Sequence, residues 1–176
     1  MQKVEGSSPF IRLVSSQLRP SDRWVAPDMS QTWVSSARGL PLDDRDRFLA
    51  WVNSSLRDAE VAVHEGDAGP RREIWSRKEP VSVLGALNSA TGRPQVDELF
   101  TWMESTFSGC TSFGLEIVAA EVTGDIAYTV AYEHTEAIVN GESRVYSLRA
   151  TQVYRREDGE WKVVHRHGSA IPERLP

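Results

Sequence analysis

Two dipeptides constrain the fold of this 176-residue chain more than any other feature: Asn140-Gly141 and Asp158-Gly159. Both sit between runs of alternating residues. Both suit a two-residue type I′ turn, which needs positive φ at its two central positions. They predict antiparallel strands over about residues 126–139, 142–156 and 161–167, with another over 111–122 before them. The upstream half reads as helix. Asp43 or Asp44 can cap a helix carrying Phe48, Leu49, Val52, Leu56, Ala59 and Val63 near a 3.6-residue period, ending near Gly66. A short helix follows from Asp67, with Pro70 early and Ile74 and Trp75 late. Residues 81–84 form a short strand. Pro94 opens a third helix through Val96, Leu99, Phe100, Met103 and Phe107, closed by Gly109. Helices first and an antiparallel meander last predict an α+β architecture.

The length suits one domain with a tail. Residues 1–41 hold four prolines and two glycines among scattered serines, show no period, and carry a charge of +2. They are expected to be poorly structured, with residues 42–170 as the domain and 171–176 as a short C-terminal tail. Trp24 and Trp33 could still dock on a neighbour. Within the tail, Val4-Glu5-Gly6-Ser7-Ser8-Pro9 can be encoded by codons containing GGTTCGAGTCC, similar to the T-arm of a transfer-RNA gene. Translation starting downstream and a chance hexapeptide are the two readings. Mapping the N-terminus of native protein separates them.

Composition narrows the function classes. The net charge of −5 argues against nucleic acid or an acidic membrane as partner. No run approaches ~18 apolar residues, and no apolar stretch follows the start, so neither a membrane span nor a secretory signal is expected. The single cysteine, Cys110, excludes an internal disulfide framework and a cysteine-based zinc knuckle. A cytoplasmic location is the expectation.

Counting outward from the turns gives cross-strand partners. The first hairpin pairs Val139 with Glu142, Ala131 with Ala150 and Thr129 with Gln152. The second, continued without interruption, pairs Glu157 with Glu160, Gln152 with His165 and Ala150 with His167. One face then carries Thr129, Ala131, Glu133, Ala150, Gln152, Tyr154, Trp161, His165 and His167. Its small centre and polar rim predict an apolar cleft with a few convergent polar groups. The opposite face, with Tyr128, Val130, Tyr132, Arg149, Val153 and Val164, is too apolar to be left fully wet. It is expected to bury itself in a homodimer or against a partner protein.

The run Gly124-Asp125-Ile126-Ala127-Tyr128 and the stretch from Thr151 to Ser169 resemble the SnoaL-like branch of the nuclear-transport-factor-2-like superfamily. The closing arginine, Asp158-Gly159, Trp161 and His165-Arg166-His167 are also similar to the end of the association domain of calcium/calmodulin-dependent kinase II. The resemblance spans about residues 43–169. It implies a cone-shaped fold, three N-terminal helices packed on a curved, mostly antiparallel sheet, with a deep pocket and frequent dimers. Such domains often place an aromatic at the cavity mouth, where Trp75 stands. The superfamily includes ketosteroid isomerases, polyketide cyclases, dehydratases and non-catalytic assembly domains, and a shared fold does not choose between them. Isomerase chemistry needs a carboxylate base and a tyrosine in the oxyanion hole. The first helix offers Trp51 and Asn53 but no tyrosine.

The predicted catalytic residues are Glu133 as base and His167 as acid or hydrogen-bond donor, roughly 9–10 Å apart across two strand spacings. Burial would raise the Glu133 pKa toward neutrality, where a carboxylate is a useful base. Trp75, Thr129, Gln152, Tyr154 and His165 are the predicted ligand contacts. A metal held by His165, His167 and Glu133 is the weaker reading; none is expected, and no cofactor. The expected ligand is a small apolar or polyketide-like molecule bearing oxygen. An isomerase, cyclase or dehydratase working by proton transfer is the leading function, and a non-catalytic association domain the alternative.

Overall fold

The computed structural model describes residues 43–171. The expectations for residues 1–41, including the translation start, lie outside them, as does all of the C-terminal tail except Ile171.

The first helix, α1, runs through Asp44–Trp51, a π-helical turn Val52–Leu56, and Arg57–His64. Asp43 caps it, its carboxylate accepting from the Asp46 amide at 2.7 Å. Phe48, Val52, Leu56, Glu60 and His64 are all buried and recur at strict four-residue intervals. On a helix of 3.6 residues per turn such a series drifts by about 40° per step. The wider i→i+5 turn absorbs part of that drift, so Glu60 and His64 stay on the inner face. Helix α2, Gly69–Ile74, starts where the Asp67 carboxylate accepts from the Gly69 amide. Helix α3, Arg93–Thr106, has Pro94 in its first turn.

Six strands form one curved sheet: β1 Ser82–Leu84, β2 Ser89–Thr91, β3 Phe107–Thr123, β4 Ile126–Val139, β5 Glu142–Glu157 and β6 Glu160–Ala170. Their order is β2-β1-β6-β5-β4-β3, all antiparallel except β1 beside β6. The α+β expectation, with three helices against a mostly antiparallel sheet, is borne out. Strand β2 was not anticipated. The third helix stops at Thr106, three residues before Gly109, and the chain passes directly into β3.

Both turns form as expected. Asn140 and Gly141 have φ of 51° and 80°, Asp158 and Gly159 of 53° and 87°. Ala131 faces Ala150 and Thr129 faces Gln152. The β5–β6 ladder starts in the expected register, Glu157 opposite Glu160, but shifts between Val153 and Tyr154. Tyr154 faces Val163 while Val153 faces His165, so Val164 is an extra, unpaired residue. A bulge of this kind turns every later side chain to the opposite face. Gln152 is therefore paired with Arg166, Ala150 with Gly168, and Thr151 with His167.

The core lies between the concave sheet face and the helices. Phe48 meets Tyr154 and Trp161 edge-on at 5.0 and 5.1 Å. Trp75 and Phe100 meet likewise at 5.4 Å.

Candidate functional site

The bulge decides which polar groups enter the interior. Of the predicted set, Glu133, Thr129, Gln152, Tyr154 and Trp75 are buried on the concave side. His165 and His167 are not among them. Both project from the outer face, His167 exposed and His165 half-buried with Nδ1 2.8 Å from the Ser82 hydroxyl. Burial and the neighbouring His167 hold the His165 pKa below its ordinary value. The predicted pairing of Glu133 with His167, and the His-His-carboxylate metal alternative, therefore fail on geometry: the histidines and the carboxylate lie on opposite faces.

Arg166 takes the place expected of the histidines. Its guanidinium donates to Glu133 Oε2 at 2.5 Å, and both side chains are almost wholly buried. Arg166 and Glu133 stand two strands and two pleats apart, so the side chain has to cross the row Gly168–Ala150–Ala131. Ala131 and Ala150 are the small residues that predicted a hollow for ligand. They instead leave a path for the arginine. A Cβ at position 168 would lie 3.0 Å from Arg166 Cζ.

A second buried ion pair joins Glu60 of α1 to Arg71 of α2. The Arg71 guanidinium also lies 5.4 Å from the Phe100 ring centre and 6.0 Å from that of Trp75. His64, one turn beyond Glu60, has Nδ1 2.6 Å from the Glu60 carbonyl oxygen and Nε2 2.8 Å from the Tyr146 hydroxyl. A carbonyl only accepts, so Nδ1 carries the proton and Tyr146 donates to Nε2. Thr129 and Tyr154 share a hydrogen bond of 2.9 Å.

Two carboxylates and two guanidiniums thus share one buried interior, and they respond differently. Burial would raise both carboxyl pKa values. At Glu60 the attraction of Arg71 and Arg166 outweighs burial and holds the pKa below the ordinary range. At Glu133 burial prevails, reinforced by the charge of Glu60 and only partly opposed by Arg166, so the pKa is raised. Burial holds His64 below its ordinary value and keeps the ring neutral. The interior therefore separates one settled carboxylate from one proton-accepting carboxyl group, an arrangement suited to acid–base work.

Several buried polar atoms in this cluster have no partner: Glu133 Oε1, Gln152 Oε1, Trp75 Nε1, Glu60 Oε1 and the Nε atoms of both arginines. Native interiors rarely leave such groups unpaired, because each costs about 1–3 kcal/mol. Arg166, Arg71, Glu60, His64 and Tyr146 were all missed from sequence. Glu60 and His64 continue the four-residue series from Phe48, so their burial was readable there. Arg166 was not, because nothing local marks Val164 as a bulge.

Two surface clefts lie elsewhere. One, of about 410 Å³, is lined by Arg72, Arg77, Arg93 and Asp97. The other, of about 590 Å³, lies between α1, α2 and the β5–β6 hairpin. No helix among the described residues is long and apolar enough to cross a membrane.

A long helix and two shorter ones on a curved sheet make a nuclear-transport-factor-2-like fold. Solved structures agree on the fold. A candidate dehydratase of the NTF2-like family from Streptomyces avermitilis superposes with a TM-score of 0.58 at 20% identity, covering 70% of this chain and 93% of its own. A candidate calcium/calmodulin-dependent protein kinase II association domain from Xanthomonas campestris gives 0.55 at 17%, covering 80% and 97%. A candidate ketosteroid isomerase from Parabacteroides distasonis gives 0.54 at 17%, covering 77% and 93%. Residues 52–173 match the family model described as SnoaL-like domain, and the chain belongs to that family. No curated protein matches it.

Proposed function

We propose that the chain binds a small, mainly apolar, oxygen-bearing molecule inside the cone and that Glu133 exchanges a proton with it. One observation carries this reading. Glu133 is a buried carboxyl with a raised pKa, held through Oε2 by Arg166, while Oε1 has no partner. A carboxylate so placed can take a proton from carbon or oxygen, and the adjacent guanidinium can stabilise the anion that results. Gln152 and Trp75 supply an acceptor and a donor to orient the ligand, with Thr129 and Tyr154 along the wall. An isomerase, cyclase or dehydratase would use these parts. The dehydratase and ketosteroid isomerase descriptions of two structural relatives agree with that class. His165 and His167 have no part in it, and neither does a metal.

Native mass spectrometry of the purified chain, followed by thermal-shift screening of hydrophobic ketones, phenols and polyketide-like compounds, tests the binding. Once a substrate is found, Glu133→Gln should lower kcat by about 10²–10⁴-fold while the fold persists. An interior that neither carries nor accepts any such compound would defeat the reading.

A second reading has its own support. The ion pairs Glu60–Arg71 and Glu133–Arg166 neutralise each other, and a non-catalytic association domain could use them purely as core. The outer sheet face bears the exposed Tyr128 and Ile126 beside Val130, Tyr132 and Val153. We propose that this face forms a homodimer under either reading, in the cytoplasm. Under the second reading Glu133→Gln lowers stability with no activity to lose.

A further inference from the structure

The 590 Å³ cleft between α1, α2 and the β5–β6 hairpin is chemically unlike the interior. Its walls are Trp51, Ala59, Pro70, Ile74 and Trp161. Its rim carries three carboxylates, Asp58, Glu73 and Glu160, against one cation, Lys162. That lysine is already engaged: its ammonium donates to Glu160 at 2.8 Å and to the Glu73 carbonyl at 3.2 Å. Glu73 makes no side-chain ion pair among the described residues, and Asp58 only a loose one with Arg57 at 3.8 Å. The rim is therefore net negative over an aromatic wall.

That combination favours cations with an apolar body. Indole faces attract cations through their quadrupole, and carboxylates add directional charge. Trp161 already shows the behaviour, with the Arg156 guanidinium 4.5 Å from its ring centre. Trp51 is half-buried and meets the Tyr154 ring nearly at right angles, 5.7 Å between centres. The π-helical turn delivers Ser55 to the same cleft, and Gly159 of the hairpin turn keeps the opposite lip low. Anionic ligands are disfavoured by the same rim.

We infer that this cleft is a binding site for an organic cation, an ammonium or amidinium group joined to an aromatic or branched apolar body. It is separate from the site around Glu133. Its floor shares Ala59 and Trp161 with the core, so occupation stiffens the junction of α1 and the hairpin.

Benzyltrimethylammonium is the probe, titrated into the full-length ¹⁵N-labelled chain while the tryptophan indole N–H signals are followed. Trp51→Phe and Trp161→Phe assign two of the six signals. The expected result is saturable movement of the Trp51 and Trp161 signals, with Trp75 unmoved. Benzyl alcohol and benzoate should bind at least several-fold more weakly. The double variant Asp58→Asn/Glu73→Gln changes only exposed side chains and should weaken the cation by about three- to tenfold, as loss of two partly screened charge contacts implies. Absence of saturation, equal binding of benzyl alcohol, or unchanged affinity in the double variant would each overturn the inference. Movement of Trp75 alone would place the cation in the interior and overturn it as well.

Discussion

Gly168 carries no side chain, and Arg166 lies where one would be. The glycine is required by this close approach rather than by its own backbone conformation. Gly168→Ala is expected to push the guanidinium off Glu133 and to cost about 1–3 kcal/mol in chemical denaturation, the usual range for overpacking. Arg166→Met should cost more, about 3–5 kcal/mol, because it strands a buried carboxylate; adding Glu133→Gln should recover much of that loss. The two carboxyl groups also predict opposite pH dependences. The Glu133 pKa is raised on folding, so its contribution is present below the ordinary glutamate value of 4.5 and is lost as pH rises through the folded value. The Glu60 pKa is lowered, so its contribution is present above that value and is lost as pH falls through the folded one. In Glu133→Gln the stability measured from about pH 4.5 to 7 should therefore rise more steeply, or fall less, than in the parent.

At the scale of elements, β6 and α1 each carry one irregularity, and each aims functional groups inward. Were Val164 paired in the ladder as its neighbours are, the rest of β6 would present His165 and His167 to the interior and turn Arg166 outward. Deleting Val164 should leave a regular strand in which Val163 and His165 still face Tyr154 and Val153, so that Arg166 keeps its inward place. The expected outcome in urea melts is a loss well short of that in Arg166→Met, with Arg166 still protected from guanidinium-modifying reagents. A deletion mutant as unstable as Arg166→Met, or one with Arg166 open to modification, would show that the bulge itself is needed to hold the arginine inward. The π turn of α1 is the helical counterpart, keeping Glu60 beside Arg71 and His64 beside Tyr146.

At the scale of the whole molecule, the concave face is covered by the helices while the convex face keeps large apolar groups exposed. Tyr128, Ile126 and Val145 are each more than two-fifths exposed on it. Light scattering of the proposed homodimer should give about 39 kDa, twice the 19.7 kDa chain mass. Tyr128→Glu should return it to the monomer with the domain still folded, since a carboxylate at a two-fold interface meets its own copy. A parent chain already monomeric at micromolar concentration would remove the dimer from the account.

The sequence alone determined the class of fold, the helix order, both type I′ turns and the complete β4–β5 register. Each rests on local chemistry: turn residues that accept positive φ, and apolar spacing along one element. Burial of Glu133, Gln152 and Tyr154 followed from that same alternation. Only the tertiary structure decided which groups they meet. One extra residue in β6 reverses a whole strand face, yet its identity, a valine, suits a regular strand as well as a bulge. What selects the bulge is nonlocal. It lets a buried arginine reach a carboxylate two strands away across Gly168, Ala150 and Ala131, while β1 pairs along the other edge of β6. Those contacts join residues up to 83 positions apart, Ser82 with His165 among them, and no short window of sequence contains both ends.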